Sequence, residues 1–244
     1  MRPLLASIFA LFSLASSRGE FTSERHSVDG TENQDYFLIH DAEAKKPAAG
    51  AKLLLVMPGG DGAAGFNPFI TNMAKHALGG YVVAQLISVK WTPKQSIIWP
   101  TEGSDVKGAK FTTEDFLSAV ISDLEKTHEI DLDPEHIYTL SWPSSGPAAY
   151  AASLSVDRIK GSFVAMSVFR ERAMKPMRRA KGHRYYIYHS PGDKVCPLGL
   201  AEQARDSLRK AGADVEFATY AGGHGWHGDI FGAIRTGIAW LEER

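Results

Sequence analysis

The stretch Ser141-Trp142-Pro143-Ser144-Ser145-Gly146-Pro147 decides how this chain reads. It follows the apolar run Ile137-Tyr138-Thr139-Leu140 and precedes the small-residue segment Ala148 to Leu154. A strand, a tight turn and a helix in that order set a serine at the turn, which is the build of a nucleophile elbow. The position that should carry the nucleophile holds Pro143. Proline has no hydroxyl and no backbone N–H, and its ring locks φ at about −65°. The same residues therefore announce a scaffold for acyl chemistry and leave its central group in question.

Outward from that turn, short apolar runs alternate with helical patterns. Strands are expected at Tyr36 to His40, Leu53 to Met57, Tyr81 to Ile87, Ile137 to Leu140, Phe163 to Met166, Arg184 to His189 and Val215 to Thr219. Helices are expected over Phe66 to Leu78, from Thr112 onward, after Ser144, over Leu198 to Lys210 and over Asp229 to Leu241. Thr112 and Asp115 have the spacing of a capping box. Continuous apolar strands alternating with helices predict an α/β fold, a three-layer α/β/α sandwich around a mostly parallel central sheet. Residues 88–111 interrupt the alternation as an insertion carrying Trp91 and Trp99. Those rings either line a pocket mouth or pin the loop to the domain, and pinning is the preferred reading. Residues 18–35 are polar and mixed and read as a loosely held arm.

The bulk numbers narrow the function. At 244 residues, 44% hydrophobic, the chain suits one domain with a sizeable core, spanning 18–244. A formal net charge of −1 gives no basic excess for a nucleic-acid partner. The basic run from Arg170 to Lys181 reads as a solvated face. Residues 1–17 start with Arg2, continue through an apolar stretch from Leu4 to Leu14 and end in Ala15-Ser16-Ser17, the pattern of a secretory signal peptide. The mature chain is then expected to be secreted or periplasmic, with no stable membrane span after cleavage. The single cysteine, Cys196, excludes an internal disulfide and reads as a buried, inert thiol.

Three groups fall just past predicted strands, where active sites of open α/β sheets gather. They are the serine turn, Ser190-Pro191-Gly192-Asp193, and Gly222-Gly223-His224-Gly225. Their order, serine then acid then histidine, is that of an α/β-hydrolase triad. In such a triad the imidazole takes the nucleophile's proton, and a buried carboxylate orients the imidazole and stabilises its charged form. Asp193 read alone also fits a helix cap, and His224 a loop histidine. His227 is a rival base, and with His224 it makes a pair three residues apart, but no further ligand at convincing spacing supports a metal. Pro58-Gly59-Gly60-Asp61-Gly62 is placed to offer a backbone N–H from Gly60 or Asp61 to an oxyanion. The absence of a phosphate-loop pattern and of G-x-G-x-x-G argues against nucleotide chemistry.

Taken together, Leu-Val-Met-Pro-Gly-Gly-Asp-Gly (55–62), Ser-Trp-Pro-Ser-Ser-Gly-Pro (141–147), His-Ser-Pro-Gly-Asp (189–193) and Gly-Gly-His-Gly-Trp (222–226) resemble the α/β-hydrolase superfamily over residues 36–243. The likeness is greatest to small secreted esterases of the phospholipase/carboxylesterase and feruloyl-esterase-like group. The resemblance implies cleavage of carboxylic esters through an acyl-enzyme, with no cofactor and no metal, on a small-molecule or polysaccharide-linked ester. Asp193 matches the acid, His224 the base, and Gly60 or Asp61 with Ser145 the oxyanion donors. Trp91, Trp99, Trp142 and Trp226 are candidates for the substrate pocket. Laid on Gly-x-Ser-x-Gly, the turn puts Pro143 on the serine. A one-residue shift puts Ser144 there, with Gly146 in the small position and Trp142 in the other. A further shift puts Ser145 there between two prolines. Three readings stay open: attack by Ser144, attack by Ser145, or no nucleophile and a fold kept for binding. A peptidase of the same fold would use the same groups.

Overall fold

A computed structural model describes residues 20–45 and 47–243. The proposed signal segment lies outside the described residues. The alternation of patterns builds one eight-stranded sheet in the order β1-β2-β4-β3-β5-β6-β7-β8. The strands are β1 (Phe21–Ser27), β2 (Asp35–Asp41), β3 (Ala51–Met57), β4 (Tyr81–Leu86), β5 (Leu132–Ser141), β6 (Gly161–Ala165), β7 (Arg184–His189) and β8 (Asp214–Thr219). β2 pairs antiparallel with β1 and with β4, and every other pairing is parallel. The helices are α1 (Asn67–Ala77), α2 (Thr113–Lys126), α3 (Gly146–Ser155), α4 (Leu198–Lys210) and α5 (Ile230–Glu242).

Side chains of a strand alternate between faces, so one buried strand feeds two cores. β3 shows this directly. Leu54 and Val56 join the core under α1 and α5, with Ile70, Met73, Phe163, Ile234 and Ile238. Leu53, Leu55 and Met57 join the other, under α2, α3 and α4, with Phe116, Val120, Ala149 and Leu208. Helices thus cover both faces, which is the expected three-layer α/β/α sandwich of the α/β-hydrolase fold. Among the described residues no helix is long and apolar enough to cross a membrane.

The stretch expected as a loose arm is instead partly a strand. β1 pairs along its whole length with β2, from Phe21 opposite Asp41 to Ser27 opposite Asp35. Its polar composition misleads because an edge strand needs little apolar cover, and charged side chains there discourage pairing with another chain. Arg25 and Ser27 both hold Asp35, each at 2.5 Å. β5 also starts earlier than its apolar run, at Leu132, across an irregularity beside Ala51.

The insertion carries no helix or strand and is fastened by side chains. Trp99 is buried and donates its indole N–H to Pro58 O at 2.9 Å. Trp91 packs edge-on against Phe111 with ring centres 5.0 Å apart. Gln95 ties the loop to itself through Ile97 O at 2.7 Å and Trp91 N at 2.8 Å. The loop then runs into α2, whose start is closed by the Thr112–Asp115 capping box. The basic segment past Arg170 forms two short 3-10 turns with exposed ion pairs, Lys175 to Glu102 and Arg179 to Asp157.

Glu114, on the first turn of α2, accepts the N–H of Glu102 and is only 4% exposed. Its second carboxylate oxygen takes no partner among the described residues. Burial pushes its pKa from 4.5 up to about 6. A raised folded-state value favours folding below the unfolded value, and that advantage is lost as pH rises through about 6. The shift corresponds to about 2 kcal/mol. Glu114→Gln should therefore lose about 1.5 kcal/mol of its stability advantage over the parent between pH 7 and pH 4.5, read as the difference in urea unfolding free energy. A difference that does not change with pH would remove this account of Glu114.

Candidate active site

Four loops meet at the carboxyl ends of the central strands. The loop after β7 turns on Asp193 N donating to Ser190 O at 3.1 Å. This buries the Asp193 carboxylate and aims it at two backbone donors. Oδ1 accepts the N–H groups of Val195 and Cys196, each at 2.8 Å. Asp193 therefore does serve the chain entering α4, but its other oxygen is left for His224. His224 Nδ1 donates to Oδ2 at 2.8 Å. Burial alone would raise the Asp193 pKa, but the Cys196 N–H, His224 and the Val195 N–H outweigh it and hold the carboxyl below its ordinary value. With Nδ1 carrying the proton, neutral His224 presents Nε2 as an acceptor, on a ring that is 27% exposed.

The histidine loop after β8 is held independently. Ser190 Oγ accepts from Gly192 N at 3.1 Å and donates to Gly222 O at 2.7 Å, joining the acid loop to the histidine loop. A Cβ on Gly192 would meet Gly222 O, so only glycine permits this approach. Tyr220 stacks on Tyr188 at 4.5 Å between ring centres and donates its hydroxyl to Gly225 O at 2.8 Å. His227, the rival base, instead stacks on Tyr220 at 5.9 Å.

The serine turn has a different geometry from the one its motif suggests. Trp142 is extended, Pro143 to Ser145 form one 3-10 turn, and α3 begins at Gly146. Among the described residues the non-glycine residues with positive φ are Asn33, Glu129 and Met166, so the backbone strain of an elbow is missing from the turn. Ser145 is fully buried; its hydroxyl donates to Met57 O at 2.6 Å and accepts from Trp142 N at 3.1 Å. The Ser145 N–H, expected as an oxyanion donor, is directed at Trp142 O at 3.3 Å. Ser144 is exposed, but its hydroxyl donates to Gly60 O at 2.9 Å. Ser167, just beyond the positive φ of Met166, donates to Pro143 O. The structure thus brings Asp193 and His224 together, and among the described residues no serine hydroxyl is hydrogen-bonded to His224.

The glycine loop after β3 sits directly on this turn. A Cβ on Gly59 would lie 2.5 Å from the Trp142 ring and from Trp142 O, and 2.9 Å from Pro143 Cδ. Gly62 N donates to Gly59 O at 3.0 Å, and Ala63 N to Asp61 Oδ1 at 3.1 Å. The N–H groups of Gly60 and Asp61 take no partner among the described residues.

The tryptophans divide between packing clusters. Trp142 and Trp226 lie 6.0 Å apart in an aromatic group with Phe66, Phe69 and Tyr188. Trp99 borders a cavity of about 50 Å³ with Ile97, Pro147 and Met174. Ser190, Tyr220 and Ser167 act on backbone carbonyls of neighbouring loops. Ser190 stands inside the acid-loop motif, but these three contacts are not visible in the sequence because a bond to a backbone carbonyl leaves no motif.

No protein-family model and no curated protein matches the chain. Solved structures do match its fold. A thermostable esterase from Pseudomonas putida ECU1011 superposes with a TM-score of 0.66 at 12% identity, over 93% of this chain and 85% of that one. A carboxylesterase from Mesorhizobium loti gives 0.66 at 13% identity, over 89% and 98%. Brefeldin A esterase, a bacterial homologue of human hormone-sensitive lipase, gives 0.63 at 16% identity, over 96% and 80%.

Gly59→Ala should destabilise the chain by about 1–3 kcal/mol in urea unfolding, because its Cβ meets the main-chain oxygen of Trp142 and the packed rings of Trp142 and Pro143. Gly65→Ala, with nothing within 4 Å of the added carbon, should not be destabilised comparably. Equal losses at both positions would show that contact with Trp142 does not set the requirement for glycine. The chain itself has the α/β-hydrolase fold, and these comparisons establish the fold alone.

Proposed function

We propose that this protein hydrolyses carboxylic esters by a general-base route in which the Asp193–His224 pair acts on water and no serine acyl-enzyme forms. The observation that carries this reading is the carboxylate of Asp193, fixed by two N–H donors and spent on His224 Nδ1, beside a turn whose tip is a proline. As water attacks the ester carbonyl, His224 Nε2 takes its proton. Asp193 holds the ring's tautomer and stabilises the imidazolium. The N–H groups of Gly60 and Asp61 face the developing oxyanion. The tetrahedral intermediate then expels the alkoxide, which takes the proton from His224. Triads stripped of one member retain about 10³–10⁴-fold acceleration over water from oxyanion donors and binding alone, and general-base help from His224 adds to that floor, so a slow enzyme is expected.

A second reading keeps Ser144 as the nucleophile. It is favoured by the exposure of Ser144 and requires its hydroxyl to leave Gly60 O and turn to His224. A fluorophosphonate separates the two, because it marks a serine activated by a base. On the general-base reading the folded parent stays unlabelled, Ser144→Ala hydrolyses a small aryl ester as the parent does, and His224→Ala loses about 10²-fold or more. Labelling that maps to Ser144 and disappears in Ser144→Ala would establish the second reading. Ester turnover that is absent would overturn both and leave a binding protein, and turnover unchanged in His224→Ala would overturn both by removing His224 as the base. Pro143→Ser restores a hydroxyl at the tip and is expected to gain fluorophosphonate labelling at that position; failure to label would show that the relaxed turn, as well as the missing hydroxyl, blocks serine chemistry.

A further inference from the structure

The acid loop carries a third group that the proposed hydrolysis does not use. Cys196 follows Asp193 by three residues and is 6% exposed. Its sulfur takes no hydrogen bond among the described residues, and the thiol stands as a free cysteine. One ligand atom each from Asp193, Cys196 and His224 lie within 4.8 Å of one another. Residue order shows Asp193 beside Cys196 but not His224, which is contributed by a separate loop that the Ser190–Gly222 hydrogen bond brings alongside.

We propose that Asp193, Cys196 and His224 form a binding site for a divalent transition ion of the zinc class, and that occupation of this site switches off His224 as a base. The donor set is carboxylate, thiolate and imidazole. This set suits zinc, whereas magnesium and calcium prefer oxygen alone. Two of the three ligands are already positioned. The N–H bonds of Val195 and Cys196 fix Asp193 Oδ1, and His189 Nε2 donates to Cys196 O at 2.8 Å, anchoring the backbone that carries the thiol. Such outer contacts orient ligands and strengthen a site. The partly exposed His224 ring marks the side open to solvent and to a fourth ligand.

The geometry makes metal and hydrogen bond alternatives. Two tetrahedral zinc ligands at about 2.0 Å from the ion are about 3.3 Å apart. Asp193 Oδ2 and His224 Nδ1 are 2.8 Å apart, joined by a proton. An ion that takes both atoms must open that contact and displace the Nδ1 proton to Nε2. Cys196 gives up its own proton to bind as thiolate, so each ion bound releases one proton to solvent. The imidazole so bound has its Nε2 protonated and cannot accept a proton from water. This site rests on the dyad's geometry and does not require that the dyad be catalytic.

Cobalt(II) is the probe, titrated into the folded parent chain. The expected result is a thiolate-to-cobalt charge-transfer band that saturates at one equivalent and is displaced by zinc. Cys196→Ser should lose the band and need at least about tenfold more metal for half-saturation. Cys196 is the one cysteine of the sequence, so alkylation of the unaltered chain reports on it alone. Zinc should slow that alkylation, a readout that needs no variant. Ester turnover of the parent should fall with zinc at concentrations that leave Cys196→Ser active. Absence of a charge-transfer band together with unprotected alkylation overturns the metal site, whatever the ester assay shows. A band with turnover unaffected by bound zinc keeps the site and overturns the switch.

Discussion

The hydrogen bond between the buried Asp193 carboxylate and His224 is the interaction around which the carboxyl end of the sheet is organised. A buried carboxylate is costly unless donors surround it. Here the Val195 and Cys196 N–H groups take one oxygen and His224 takes the other. That arrangement fixes the loop after β7, and Ser190 then couples it to the loop after β8 through Gly222 O. The histidine is placed by two loops and one staple, Tyr220, rather than by its own strand.

The neighbouring turn is governed by a different constraint. Trp142 and Pro143 press against Gly59 so closely that no side chain fits there. Ser145 is consumed in holding Met57 and Trp142, Ser167 holds Pro143 O, and Ser144 holds Gly60 O. Each hydroxyl near the tip has a structural engagement. A turn relaxed into a 3-10 helix, with every nearby serine paired to backbone, is well suited to packing and poorly suited to presenting a nucleophile. The chain therefore combines an ordered Asp193–His224 pair with a turn whose serine hydroxyls are all bonded to backbone carbonyls.

Much of this was legible from residue order. The central strands announced themselves as continuous apolar runs because both faces are buried, and the Thr112–Asp115 cap was visible as spacing. Asp193 and His224 stood out because, with the serine turn, they fall just past strands in the order serine, acid, histidine. β1 was hidden, since an edge strand shares its composition with a loop until its partner is known. Ser190, Ser167 and Tyr220 were hidden because they bond to carbonyls, which any residue provides. The approach of Cys196 to His224 was hidden for the simplest reason: it depends on two loops meeting, and distance along the chain says nothing of it.

The general-base route differs from a serine route in forming no covalent intermediate. Rapid mixing of the folded chain with an excess of a chromogenic aryl ester reads this in the first turnover. On the general-base route the phenolate is released linearly from time zero, with no burst, because water and not serine attacks the carbonyl. A burst with an amplitude equal to the enzyme concentration, abolished by Ser144→Ala, would contradict it.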